Sequence, residues 1–291
     1  MPVVETPAGQ RAMAWEGENK GMDGRTIVIT SGKGGVGKTT VTANLGSVLA
    51  QNGCKVCVMD ADIGLRNLDV VLGLENRIVY HLVDVIAGRC RLKQALIRDK
   101  RNENLYLLPA SQSDDKNAVA PEQMRQLCQE LKKEVDYILI DCPAGIEQGF
   151  RNAVAGADQA VIVTTPEVSA IRDADRIIGL LQAQGVDTQL IINRLNAELV
   201  RRGDMLDQQD VMDILAIELL GIVPEDQGIV ISTNKGNPAA FSEEYEASKA
   251  FWRIGRRIRG EIVPIPNYSD NGNLWSRIGK KLSGTFRRRA L

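Results

Sequence analysis

Apolar residues follow two alternating patterns along most of the chain. Short, nearly continuous runs of Val, Ile and Leu alternate with longer segments in which apolar residues recur every three to four positions. The first pattern is typical of strands buried on both faces of a parallel sheet, and the second of helices. The predicted strands cover residues 26–30, 55–60, 104–108, 135–141, 158–164, 187–192 and 218–223. The predicted helices cover residues 38–51, 79–87, 121–134, 145–156, 168–184, 206–215 and 238–260. The alternation predicts one doubly wound α/β domain, with a mostly parallel sheet and helices on both faces.

The two ends of the chain do not follow this alternation. Residues 1–24 are polar, show no periodicity and lack the apolar stretch of a signal peptide, so a disordered extension is predicted there. Residues 25–262 form the predicted domain, and residues 263–273, rich in Pro, Asn and Gly, form a predicted linker. Residues 274–291 remain as a separate C-terminal helix.

The C-terminal segment is amphipathic and basic. At about 100° per residue, its large apolar side chains fall on one stripe, formed by Leu274, Trp275, Ile278, Leu282 and Phe286. The segment also carries six Lys or Arg and no acid, although the whole chain has a net charge of −1. This pattern predicts a helix that lies at the surface of an anionic membrane. The alternatives are a helix docked on the domain or a tail that binds nucleic acid, but nucleic acid does not require the apolar stripe.

The cysteines and the single histidine limit other chemistries. Cys54 and Cys57 have the C-x-x-C spacing of redox and metal motifs, but they lie in an apolar strand pattern, which favours buried thiols. His81 is the only histidine in the sequence. This argues against a Ser-His-Asp catalytic site and against a metal site built from imidazole ligands. Five cysteines without a disulfide framework fit a reducing, cytoplasmic compartment.

Residues 32–39, with the sequence GKGGVGKT, lie between the first predicted strand and the first predicted helix. A glycine-rich loop in this context exposes several backbone N–H groups at a helix N-terminus, where they bind phosphate. Lys38 is expected to reach the β- and γ-phosphates of a nucleotide, and the Thr39 hydroxyl to bind Mg²⁺. The loop therefore predicts a P-loop nucleotide hydrolase.

Three carboxylates follow predicted strands on the same side of the sheet. Asp60 and Asp62 come at the end of the second strand, and Asp141 ends the apolar run of the fourth. An apolar strand that ends in Asp downstream of a phosphate loop is typical of a Mg²⁺-binding acid. For Asp60 and Asp62 the alternative is a solvated turn that caps a helix near Asn67.

The phosphate loop carries a second lysine, Lys33. In the form K-G-G-x-G-K-T it resembles the deviant Walker motif of the MinD/ParA family of ATPases. The run D-A-D-I-G-L-R-N-L-D from Asp60 and the run D-C-P-A-G from Asp141 resemble the two switches of this family. The resemblance implies that Lys33 reaches the nucleotide of a partner subunit in an ATP-bound homodimer. It also implies that Asp62 orients the attacking water, that Asp60 supports the Mg²⁺ site, and that Gly145 approaches the γ-phosphate.

The resemblance extends to the base pocket and to partners. It implies an adenine site around Asn193 and Pro224, since an Asn amide offers both a donor and an acceptor. By position, the residues implied in nucleotide binding are Gly34, Gly35, Val36, Gly37, Lys38, Thr39, Thr40, Asn193, Arg194, Pro224 and Asp226. Asp173 and Asp175, on the helix after the fifth strand, are implied in partner binding, with a solvated charged face as the alternative. The implied partners are a MinC-like division inhibitor and a MinE-like stimulator.

Together with the amphipathic tail, the resemblance implies an ATP- and Mg²⁺-dependent membrane ATPase that positions the division septum, located in the cytoplasm and on the inner face of the cell membrane. No nucleic-acid partner is expected. One alternative is a ParA-like DNA-partition ATPase, which shares the loop and the switches. A second alternative is a metal-cluster carrier of related fold, which requires cysteines that face a dimer axis.

Overall fold

The computed structural model of the chain describes residues 24–115 and 118–268. Most of the predicted extension and the predicted membrane residues, Leu274, Trp275, Ile278, Leu282 and Phe286, lie outside the described residues. The boundaries of the predicted linker and tail therefore stay predictions.

Eight strands form one sheet in the order β3-β4-β2-β5-β1-β6-β7-β8. The strands are β1 (Arg25–Thr30), β2 (Val56–Asp60), β3 (Ile97–Arg98), β4 (Leu105–Leu108), β5 (Tyr137–Asp141), β6 (Gln159–Thr164), β7 (Asp187–Leu195) and β8 (Glu218–Pro224). Every pair is parallel except β3 with β4. The predicted doubly wound, mostly parallel sheet is confirmed. The edge strand β3 was not predicted, because two residues are too few to show an alternation.

The connections contain the helices α1 (Lys38–Gln51), α2 (Leu68–Leu72), α3 (Leu82–Ile86), α4 (Leu92–Ala95), α5 (Pro121–Lys132), α6 (Gln148–Ala155), α7 (Val168–Ala183), α8 (Ala197–Arg202), α9 (Gln208–Leu215), α10 (Gln227–Asn234) and α11 (Glu246–Ile258). Four of the predicted helix starts are too early. The helices expected from 79, 145 and 206 begin at Leu82, Gln148 and Gln208, and the helix expected from 238 is a 3-10 turn followed by α11. The helices α2, α4, α8 and α10 were not predicted, since one or two turns give no clear period.

Capping side chains explain where two of these short helices begin. The Asn196 side chain accepts from Glu198 N at 3.0 Å and starts α8. Asp226 Oδ1 accepts from Gly228 N at 2.8 Å and starts α10. Asn and Asp are favoured at this position because they satisfy backbone donors of the first turn that have no partner within the helix.

The sheet separates two apolar cores. Ile27 and Ile29 of β1 face one core with α1 and α11, whereas Val28 faces the other with α5, α6 and α7. This follows from the alternation of side chains along a strand. In the strand order β1 lies near the centre of the sheet, between β5 and β6. Its carboxyl end opens into the crevice where ligands bind in such folds.

Among residues 24–115 and 118–268, no helix is both long enough and apolar enough to cross a membrane.

Candidate functional site

The loop between β1 and α1 bends through two glycines in the left-handed region. Gly35 has φ 79° and Gly37 has φ 100°. Glycine is the residue that adopts this conformation at little cost. A Cβ atom on Gly35 would meet nothing within 4 Å, so the space above the loop is open. The loop leads directly into α1, whose N-terminal N–H groups face that space.

Lys38 lies inside this loop. The residue is 8% exposed, and its Nζ donates to Ser31 Oγ at 3.0 Å. The Ser31 hydroxyl in turn donates to Lys33 O at 2.7 Å. Ser31 thus joins Lys38 to the loop backbone. Sequence reasoning missed Ser31, and the only signal was a polar residue between the apolar strand and the loop.

Asp60 and Asp141 are neighbours at the carboxyl ends of β2 and β5, where they are register partners. Both are buried, with exposures of 1% and 3%. Burial is the main cause that raises the pKa of each carboxyl group. For Asp141 the neighbouring Asp60 adds to the rise, while a hydrogen bond with Thr39 and the charge of Lys38 oppose it. The pair is a buried acidic site beside the phosphate loop.

The two carboxylates differ in their partners. Asp60 accepts from the backbone N–H groups of Asp62, Asn67 and Leu68 at 2.9, 3.0 and 3.1 Å. It therefore orders the loop after β2 and the first turn of α2, although Asp60 is buried and does not lie in the solvated turn of the alternative. Asp141 Oδ1 is buried and has no hydrogen-bond partner among the described residues. A buried carboxylate oxygen without a donor, next to the Thr39 hydroxyl, fits the oxygen ligands that Mg²⁺ takes.

The two switch segments lie against the loop and its surroundings. Gly145 N donates to Ser31 O at 3.4 Å, and Gly145 has φ 91° with open space beside it. Asp62 is half-buried, and its carbonyl accepts from Leu65 N and Arg66 N, both at 3.2 Å. Gly64 N donates to Ser111 O at 2.8 Å. Ser111 was not predicted, since it is far from Gly64 in the sequence.

Lys33 points away from Lys38, toward the start of α7. Its Nζ donates to Ser169 Oγ at 3.1 Å and lies 3.6 Å from Glu167 Oε2. The Lys33 side chain is 43% exposed. The same helix holds the predicted partner residues, of which Asp173 is half-buried and Asp175 exposed. One loop therefore directs one lysine inward and one outward.

The predicted adenine residues come together at the ends of β7 and β8. Asn193 is register partner of Val223, and Glu225 N donates to Leu195 O at 3.0 Å. Arg194 has φ 56° at an irregularity of the pairing, which is an unusual conformation for a residue with a side chain. This crevice edge lies beside the phosphate loop.

Two of these side chains already have structural partners. Asn193 Nδ2 donates to Val36 O at 2.8 Å and so ties β7 to the phosphate loop. Asp226 accepts from Gly228 N and from Ala247 N at 3.1 Å, which leaves its backbone as the group able to face a base. Asn193 thus links the base side of the crevice to the phosphate side.

Three large apolar side chains are exposed next to the site motifs. Leu65 lies within the first switch, Ile146 follows Gly145, and Val168 precedes Ser169 at the start of α7. Single exposed apolar residues are ordinary, but three beside one site form a candidate interface.

Of the five cysteines, Cys142 follows Asp141 in the second switch and is buried, whereas the C-x-x-C pair lies away from the site. Cys57 is buried in β2, and Cys54 precedes that strand and is half-buried. Burial is the main cause that raises the pKa of both thiols. Within the described ranges, no group of three or more His, Cys, Asp or Glu side chains is placed to hold a metal ion.

Comparison with known proteins shows extensive similarity. A family model described as an AAA domain matches residues 24–193. The septum site-determining protein MinD of Bacillus subtilis is 58% identical over 245 residues, which cover 83% of this chain and 91% of that protein. The structure of the MinC:MinD cell division protein complex of Aquifex aeolicus is similar with a TM-score of 0.79 and 50% identity, covering 84% of this chain and 100% of the other.

A third similar protein was solved with a nucleotide. The septum site-determining protein MinD of Pyrococcus horikoshii, complexed with Mg-ADP, is 34% identical with a TM-score of 0.73, covering 80% of this chain and 95% of that one. The similarity therefore spans most of the chain. At 34–58% sequence identity it indicates more than a shared fold.

Proposed function

Because this chain belongs to the MinD family of septum site-determining ATPases, we propose that it is an ATP-dependent dimerising ATPase that recruits a division inhibitor to the membrane. The observation that carries the proposal is the pair of lysines on one loop. Lys38 lies inside the loop, and Lys33 extends from it onto an exposed face. One serves the subunit's own nucleotide, and the other is available to a second subunit.

The nucleotide site follows from the loop and the crevice. The backbone N–H groups of residues 34–40 bind the phosphates, and Lys38 neutralises their charge. The backbone around Pro224 and the Asn193–Arg194 segment border the adenine. Thr39 and Asp141 would hold Mg²⁺, with Asp60 orienting the loop beside them. When bound, Mg²⁺ supplies positive charge to the β- and γ-phosphate oxygens.

Asp62 orients the water that attacks the γ-phosphate. The role of Asp62 is supported by the hydrogen bonds that the Asp60 carboxylate accepts, because they fix the backbone at positions 62, 67 and 68. Gly145, without a Cβ atom, lets the second switch approach the phosphate from the other side. Catalysis here consists of positioning and charge neutralisation, as in other phosphoryl transfers.

Dimerisation joins the two exposed loops. Lys33 exchanges its contacts with Ser169 and Glu167 for the nucleotide of the partner subunit. Leu65, Ile146 and Val168 surround this region and bury apolar area when the subunits meet. Ile146 and Val168 each lie beside a residue that contacts the loop or the strand end before it, namely Gly145 and Ser169, so the nucleotide state and the interface are coupled.

Membrane attachment uses the amphipathic tail. One such helix binds a bilayer weakly, whereas two on one dimer bind with an avidity that can exceed single-site affinity by about 10²–10⁴. ATP therefore controls membrane binding through dimerisation, without contacting the tail. ATP hydrolysis separates the two subunits and releases both of them from the membrane.

Partner binding uses the α7 surface near the loop. The Aquifex aeolicus protein forms a complex with MinC, and we propose a MinC-like inhibitor and a MinE-like stimulator as partners here. Asp173 and Asp175 lie on α7 next to the Lys33 contacts, where a partner senses the nucleotide state. Location at the inner face of the cell membrane follows from the tail.

Sedimentation with vesicles of equal parts phosphatidylcholine and phosphatidylglycerol tests this function. The full chain is expected to pellet with ATP and to stay in solution with ADP or without nucleotide. Ile278→Glu is expected to abolish pelleting while ATP hydrolysis without lipid continues. Ser276→Glu places the same charge off the apolar stripe and is the matched control. Pelleting of Ile278→Glu like the native chain contradicts the tail as anchor, and ATP-dependent DNA binding without lipid binding favours the partition ATPase.

A further inference from the structure

A cleft of about 740 Å³ lies between the end of α1 and the segment that joins β3 to β4. Gln51 and Gly53 border it on one side, residues 98–104 on another, and Arg77 overhangs it. The phosphate loop precedes α1, whereas the cleft lies at the end of α1 and before the start of β4. The cleft is therefore at the opposite end of the sheet from the nucleotide site, and the proposed ATPase cycle does not use it.

Unpaired positive charge surrounds the cleft. Arg77, Arg98 and Lys100 are exposed and form no ion pair within the described ranges. Arg77 is held in place because its Nη1 donates to Arg98 O at 2.8 Å. Glu103 is the one exposed acid of the lining. Such a lining attracts anions.

The remaining charges of the lining are structural. Arg101 pairs with the buried Asp99, and its guanidinium also donates to Leu72 O at 2.6 Å and to Gly236 O at 2.8 Å. This pair is neutral in sum and fixes the backbone on both sides of Lys100. The three exposed cations are thus presented by a rigid segment rather than by a free loop.

The end of α11 lies next to the cleft. Arg259, which follows α11, donates through Nη1 to Asn52 Oδ1 at 3.1 Å, and Asn52 lies between Gln51 and Gly53. The chain then turns back toward β8, where the Arg257 guanidinium donates to Leu220 O, Val263 O and Pro264 O at 2.9, 2.8 and 2.7 Å.

We propose that this cleft is a second membrane contact, in which Arg77, Arg98 and Lys100 bind the phosphate groups of acidic lipid headgroups while the tail inserts its apolar stripe. The inference rests on the proposed membrane attachment and adds a site on the domain itself. Each Lys or Arg near an anionic surface strengthens binding by about five-fold (about 1 kcal/mol). Salt screens such contacts within about 10 Å at 0.1 M ionic strength, whereas apolar insertion is less sensitive.

The test compares variants of the full chain in ATP. Arg98→Gln/Lys100→Gln removes two charges whose side chains make no hydrogen bond or ion pair recorded in the structure, so the fold is expected to persist. Lys133→Gln/Arg201→Gln is the matched control, because it also removes one exposed Lys and one exposed Arg that form no ion pair within the described residues, and neither lines the cleft. Binding is measured by sedimentation with phosphatidylcholine vesicles, alone or mixed equally with phosphatidylglycerol, at low and at high salt. ATP hydrolysis without lipid and duplex DNA binding are measured in parallel.

The cleft variant is expected to bind the acidic vesicles about 5- to 25-fold more weakly at low salt, since two charges are lost. The difference is expected to shrink at high salt, with hydrolysis unchanged and the control like the native chain. If the cleft variant binds vesicles like the native chain while Ile278→Glu does not bind, the proposed lipid contact of the cleft is overturned and the tail remains the membrane anchor. The lipid contact of the cleft is also overturned if the cleft variant and the control lose vesicle binding equally, or if the cleft variant loses only DNA binding. Absence of binding by the native chain overturns both proposals.

Discussion

Gly32 packs against the backbone of Asp173, so closely that a Cβ atom on Gly32 would overlap the Asp173 carbonyl group. The start of the phosphate loop is thus seated on α7. A shift of either the loop or the helix proposed to receive partners would break this contact. We therefore expect nucleotide binding and partner binding to be coupled at this point.

Gly32→Ala is therefore expected to displace the loop from α7. The methyl group meets backbone atoms, which cannot rotate away, so the free energy of unfolding should fall by about 1–3 kcal/mol and nucleotide affinity should fall with it. Gly179→Ala on the same helix is the control, because its Cβ atom would meet nothing within 4 Å. In a helix that change is neutral or stabilises by up to about 1 kcal/mol. Thermal unfolding measures the stability of each variant, and nucleotide titration measures its affinity. Equal results for the two variants would contradict the close contact between Gly32 and Asp173.

Lys33→Ala is expected to abolish the ATP-dependent dimer and leave nucleotide binding largely intact, because Lys33 points out of its own loop toward Ser169. Size-exclusion chromatography with light scattering, in ATP and in ADP, measures the mass. Lys93→Ala is the control, because it removes another exposed lysine. The ion pair of Lys93 with Glu134 is on the surface and contributes little to stability. A Lys33→Ala protein that dimerises like the native chain contradicts the proposed contact across the interface.

Asp141→Asn is expected to weaken Mg²⁺-dependent nucleotide binding strongly and to stabilise the protein without metal. Burial raises the pKa of Asp141, so the folded protein holds this proton more tightly than the unfolded chain. Stability without Mg²⁺ therefore falls as the pH rises from about 4 through the raised pKa. Mg²⁺ affinity rises over the same range, because the ion binds the ionised form.

Thermal unfolding between pH 4 and pH 8, with and without Mg²⁺, measures this linkage. The Asn variant should lose the part of this fall that Asp141 causes, so its stability should exceed that of the native chain by an amount that grows as the pH rises. Asp60, whose pKa burial also raises, keeps its own part of the fall. Asp187→Asn changes an exposed carboxylate at the start of β7 and should alter neither curve. An Asp141→Asn protein with the pH profile of the native chain argues against this acid as the metal ligand.

Asn193→Ala is expected to loosen the phosphate loop, because it leaves the buried Val36 carbonyl without its donor. An unpaired buried group costs about 1–3 kcal/mol. Affinity for ATP and for inorganic triphosphate should fall by a similar factor if the effect passes through the loop. A loss confined to ATP indicates contact with the base instead. Asp207→Ala, which removes the cap of α9, should lower stability by about 1 kcal/mol and leave both affinities unchanged.

The alternation of strands and helices and the phosphate loop were determined by the sequence alone. Strands buried on both faces of a sheet must be apolar throughout, and Lys38 and Thr39 follow the glycines at a spacing that phosphate binding requires. These signals are local, so the tertiary structure adds little to them. The short helices α8 and α10 could also have been found, from the capping residues Asn196 and Asp226.

Contacts between distant segments were decided only by the tertiary structure. Asp60 and Asp141 become a buried pair because β2 and β5 are adjacent in the sheet, although β3 and β4 lie between them in the chain. The seating of Gly32 on Asp173, the tie from Asn193 to Val36 and the basic cleft beside Arg259 arise in the same way. Such contacts depend on strand order and on how helices pack over the sheet, and no local pattern of residues encodes them.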